Sequence, residues 1–126
     1  MKLTEPEWII MNALWDGHPA KARDVVERLP DHVGWAYTTV KTMLDRLVEK
    51  KAVKKSKQGH TGLYEPLLSR HQARTTALRI MLNQAFDGAF GPMMHFLVKD
   101  EKLSGKDRKE LIDILSGKKK IKGEQK

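Results

Sequence analysis

Apolar residues recur at spacings of three and four through the first fifty positions, give way to a short extended stretch, and then return to helical spacing. Thr4-Glu5-Pro6-Glu7 is a capping box with proline in the first turn, so a helix is predicted to start there. Trp8, Ile9, Met11, Leu14 and Trp15 continue it, and Gly17-His18-Pro19 stops it. A second, shorter helix is predicted over about Lys21 to Leu29, with Ala22, Val25, Val26 and Leu29 inward and Pro30 closing it. After Asp31-His32-Val33-Gly34 and Trp35 comes a third helix, about Tyr37 to Lys51. Its Val40, Met43, Leu44, Leu47 and Val48 form one apolar stripe. Ala52-Val53, a run of lysines, a turn at Gln58-Gly59-His60-Thr61-Gly62 and Leu63-Tyr64 then read as a β-hairpin. Three helices, the last two joined as a helix-turn-helix, followed by a hairpin predict a winged helix-turn-helix over residues 1–68.

The second half is helical as well, which makes the fold class mainly α. Ser69-Arg70-His71-Gln72 is another capping box, starting a long helix to about Phe86 whose apolar positions cover more than one face. Gly88, Gly91 and Pro92 break the chain; Met93, Met94, Phe96, Leu97 and Val98 make a short apolar helix. Ser104-Gly105-Lys106-Asp107 starts a last helix bearing Leu111, Ile112, Ile114 and Leu115, ended by Gly117. Residues 69–117 are too few for an independent core, so their apolar surface is expected to be buried against a second copy. The expected seam is Leu78, Met81, Leu82, Met93, Met94, Phe96, Leu97, Leu111, Ile112 and Leu115. The competing arrangement folds these helices back on the first unit. Residues 118–126 read as a disordered basic tail.

Charge sharpens the picture. The 126-residue chain carries +8 with a pI of 9.8, which favours polyanionic partners. Residues 35–60 hold seven cations against Asp45 and Glu49, a net of +5, and the end of the chain from Ser116 holds a further +4. The polar face of the third helix carries Thr38, Thr39, Lys41, Thr42 and Arg46, groups suited to phosphate oxygens and base edges in a major groove. Lys54, Lys55 and Lys57 on the hairpin, with His60 at its tip, suit the DNA backbone. A solvated charged face on a core helix–hairpin is the plainer alternative.

Other chemistry finds little support. Trp8, Trp15 and Trp35 sit with apolar neighbours and read as core anchors rather than base-stacking platforms. The five histidines lack metal-site spacing and the chain has no cysteine, so no metal, cofactor or disulfide is expected. No phosphate loop or catalytic motif occurs, so an enzyme is not expected. No apolar run approaches the ~18 residues of a membrane span, and MKLTEPEW lacks the apolar stretch of a signal peptide; a cytoplasmic protein without membrane insertion is expected.

Four stretches carry a family resemblance: LTEPEWIIMNALW, WAYTTVKTMLDRLVEKKAV, GLYEPLLSR and HFLVKDEKLS. Over about residues 3–116 the chain resembles the penicillinase-repressor (BlaI/MecI) family of bacterial transcriptional regulators. The resemblance implies a homodimeric repressor that covers a palindromic double-stranded operator, with the third helix in the major groove. It would place Thr39 and Thr42 toward the bases and Lys41 and Arg46 on phosphates, Arg46 having an ion pair with Asp45 or Glu49 as its alternative. Three departures stand out. Ala36-Tyr37 replaces the Ser-Pro that often opens the third helix, and the C-terminal cysteine cluster of copper-responsive relatives is absent. His95-Phe96 aligns with the Asn-Phe bond that is cut in β-lactam-responsive relatives; the resemblance implies a protease of a membrane-sensor pathway as a partner, while the histidine in place of asparagine leaves the inducing signal open. The rival of another class is a winged-helix module that binds protein instead of DNA.

Overall fold

The computed structural model describes residues 1–100 and 104–115, with side chains as far as Glu110. The expected basic tail, the stop at Gly117 and the side chains of Leu111, Ile112 and Leu115 lie outside the described residues. The elements are α1 (Glu5–Trp15), α2 (Ala22–Arg28), α3 (Tyr37–Glu49), β1 (Val53–Gln58), β2 (Thr61–Pro66), α4 (Arg70–Phe86), α5 (Phe90–Lys99) and α6 (Gly105–Leu115). The described residues fall into two compact units, Met1–Ala73 and those from Arg74 onward.

The first unit is a winged helix-turn-helix. At the start of α1 the Thr4 hydroxyl accepts from the Glu7 N–H at 3.3 Å, and the Glu7 carboxylate accepts from the Thr4 N–H at 2.9 Å. Glu7 also pairs with Lys50 at 2.7 Å, tying the start of α1 to the end of α3. Ile10, Met11 and Leu14 of α1, Val25 of α2 and Val40, Leu44 and Leu47 of α3 are fully buried together. The apolar stripe of α3 thus faces the core, with Met43 and Val48 half-buried at its margins. Burying such side chains supplies about 1.5–3 kcal/mol apiece, which fixes α3 by one face and leaves the other to solvent. The three tryptophans are half-buried and pack against this core. Trp15 also donates to the Leu68 carbonyl at 2.9 Å and meets Trp8 edge to face. Among the described residues no helix is long and apolar enough to cross a membrane.

Three local features differ from the sequence expectation. α3 stops at Glu49, because Lys51 takes a left-handed conformation (φ 65°) and the chain turns back on itself. The Lys51 and Ala52 N–H groups then donate to the Val48 and Leu47 carbonyls, both at 3.0 Å, which is a Schellman cap. The hairpin turn is the two-residue Gly59-His60, not five residues, with positive φ at Gly59 as a type II′ turn requires. Ala20 exchanges two backbone hydrogen bonds with Tyr64 (2.8 and 2.9 Å), docking β2 onto the segment ahead of α2. The first unit also runs past Leu68 to Ala73, which is buried in its core.

In the second unit, the rings of Phe86 and Phe96 lie 6.0 Å apart. Gly91 and Pro92 do not break the chain here. They occupy the first turn of α5, where a missing N–H costs no helical hydrogen bond.

Candidate nucleic-acid interface

The solvent side of α3 divides into two sectors. Thr38, Thr39, Thr42 and Arg46 are exposed and, with Met43, line a shallow hollow of about 310 Å³. The Thr42 hydroxyl donates to the Thr38 carbonyl at 2.9 Å, so its oxygen lone pairs and its methyl remain for an incoming base. Neither ion pair expected as the alternative for Arg46 forms among the described residues. The helix begins at Tyr37 without a side-chain cap from Ala36, so the loss of the family's Ser-Pro leaves the helix in place.

The second sector faces the wing through one carboxylate. Asp45 lies 3.5 Å from Lys41 and 3.5 Å from Lys55 of β1, and it accepts a 2.9 Å hydrogen bond from the Tyr64 hydroxyl of β2. Partial burial disfavours its charge, but the Tyr64 hydroxyl and the cations of Lys55 and Lys41 outweigh this and hold the carboxyl below the usual carboxylate range. Burial first, and then the bond to Asp45, push the Tyr64 phenol up to about 12. Gly62, opposite Lys57, matters through its missing side chain: a Cβ there would stand 3.0 Å from the Lys55 stem as it crosses the strand toward Asp45.

The strand register separates cations that look equivalent in sequence. Side chains alternate along β1, so Lys55 and Lys57 share the face of Tyr64 and Gly62, while Lys54 points to the other face. There Lys54 stands 4.0 Å from Glu65. Lys41, Lys55, Lys57 and His60 converge on a cleft of about 500 Å³ between the start of α2, the start of α3 and the wing. Lys21, Arg23 and Tyr37 complete that cleft, and no motif in the sequence pointed to them. Among the described residues, no group of three or more His, Cys, Asp or Glu side chains comes together as a metal site would need.

The expected dimer seam falls into two sets. Leu82 and Met93 are buried within the single chain, and Met94 and Leu97 are half-buried. Leu78, Met81 and Phe96 are each at least 40% exposed, as is Phe90, and Val98 is 38% exposed. His95 is exposed too, and the His95-Phe96 bond lies in the middle of α5, so the helix must open before a protease can take it.

The sequence profile of the penicillinase repressor family matches residues 3–117. The chain is similar to the methicillin resistance regulatory protein MecI of Staphylococcus aureus strain N315, 25% identical over 93% of this chain and 95% of that one. It is also similar to the penicillinase repressor of Bacillus licheniformis, 26% identical over 90% of this chain and 89% of that one. A solved CopR repressor structure covers 55% of this chain and all of its own at 30% identity, with a TM-score of 0.46.

Proposed function

The chain belongs to the penicillinase repressor family, and from that premise we propose that it is a homodimeric, DNA-binding transcriptional repressor that covers a palindromic operator. The observation that carries this is the continuity of one surface. The threonine-rich face of α3 runs through Lys41 and Asp45 into the cationic face of the wing. Threonine oxygens and methyls suit base edges, and lysines beside them suit the flanking phosphates. The exposed Leu78, Met81, Phe90 and Phe96 support dimerisation through the second unit. Cutting His95-Phe96 would split that apolar surface and release DNA without touching α3, which is how a protease of a sensor pathway would end repression.

Thr39→Ala or Thr42→Ala should relax sequence preference, each costing about 1–3 kcal/mol at one base position, with little change in melting temperature. Binding to selected and random duplexes at varied salt reads this out. Equal loss on both duplexes would assign the threonines to backbone positioning, and no salt-dependent binding to any duplex would favour the protein-interaction module instead.

A further inference from the structure

Lys21 and Arg23 face the wing across the 500 Å³ cleft, yet they belong neither to α3 nor to the hairpin. The cleft has no acidic side chain in its lining. Among the described residues Lys21, Arg23 and Lys57 form no ion pair, whereas Lys41 and Lys55 are partly neutralised by Asp45. Three exposed cations without an ion-pair partner among the described residues therefore line opposite walls of one cleft, a local excess of positive charge that favours a bound anion. Arg23 is also positioned. Its guanidinium lies 5.8 Å from the centroid of the Tyr37 ring, and Tyr37 opens α3. A guanidinium held over an aromatic face keeps its N–H edge free for two oxygens of one phosphate.

The cleft shares α3 with the threonine face: Tyr37 and Lys41 line the one, Thr38 and Thr42 the other. A duplex that receives this helix in its major groove carries a phosphodiester strand along the groove's edge. We propose that the cleft is a clamp for that strand, with Lys21 and Arg23 on one wall and Lys57 and His60 on the other. The clamp rests on the DNA-binding reading and adds α2 to it as a third point of backbone contact. Because a phosphodiester carries no base information, the clamp contributes affinity and register on every sequence alike.

The test uses the full chain, a selected duplex and a random duplex, titrated between 50 and 200 mM salt. Arg23→Ala should reduce the steepness of the log–log salt dependence by about 0.9, and adding Lys21→Ala should roughly double that change. Both duplexes should weaken by the same factor, and Arg23→Lys should restore the slope because the charge returns. A scan of neutral methylphosphonate linkages should find a position whose substitution weakens wild type but not Arg23→Ala. Wild-type slopes in the folded double variant would overturn the clamp while leaving the DNA-binding reading intact. So would inorganic pyrophosphate binding that requires Arg23 in a protein whose DNA slope does not, since the cleft would then serve a free anion. A wild type that binds neither duplex would overturn both.

Discussion

Asp45 stands on the outward half of α3, the helix proposed to face DNA, where a carboxylate would repel phosphate, and its contacts explain the placement. It holds Lys41 and Lys55 side by side and fixes the Tyr64 hydroxyl, so the wing is set against α3 before any ligand arrives. Tyr64→Phe removes that bond and should destabilise the first unit by about 1 kcal/mol, below the usual range for a charge-assisted hydrogen bond because Asp45 is partly exposed. Thermal or urea melts would measure it; an unchanged midpoint would mean the contact is idle. The pH dependence follows from the lowered Asp45 value. The fold favours the carboxylate, so its contribution is present at neutral pH, above the ordinary 3.8, and fades as acid takes the pH down through the lowered value. Tyr64 works in the opposite direction: its stabilisation is whole below 10 and is lost as the pH rises through about 12. Thr4 with Glu7 was legible in the sequence because capping boxes are local. Asp45 was not, since two of its three partners, Lys55 and Tyr64, are brought to it by the hairpin register, Tyr64 from nineteen residues along the chain.

Capping boxes and apolar spacing located each described helix, and the departures sit where local grammar is silent. Glycine ordinarily marks a left-handed C-terminal cap, but here Lys51 occupies it, so the pattern alone carried α3 two residues too far. A left-handed lysine costs about 1–2 kcal/mol, part of which glycine returns as unfolded-chain entropy. Lys51→Gly should therefore stabilise the first unit by about 1 kcal/mol, a rise of roughly 4–8 °C in its melting temperature. A lower melting temperature would show that the Lys51 side chain contributes more than its backbone strain. In the wing, the lysine run concealed an alternation: composition groups Lys54 with Lys55, whereas the pleat sends them to opposite faces. Ala20 carries no strand pattern at all, and its pairing with Tyr64 exists only because the folded wing brings Tyr64 to it.

At the scale of the whole molecule, the apolar surface of the second unit and the threonine-bearing surface of the first, proposed to read bases, serve one proposal. A two-fold dimer would present two α3 helices about one duplex turn apart, ~34 Å, or a multiple of it. Each half-site contact would be weak alone, and linkage through the dimer would multiply affinity by about 10²–10⁴. This organisation was partly legible. The helix–hairpin pattern announced the winged helix, while the seam residues could not be sorted from periodicity. Leu82 and Met93 turn inward within the chain and Leu78 and Met81 do not, although all four are equally apolar in sequence. The most direct test is the stoichiometry and affinity of the full chain on a palindrome selected from random duplexes, and on the same duplex with one half scrambled. Two protomers on the intact site, and a loss of about 10²–10⁴-fold on the scrambled one, are the expected result. One protomer per duplex, bound equally well to both, would contradict the account.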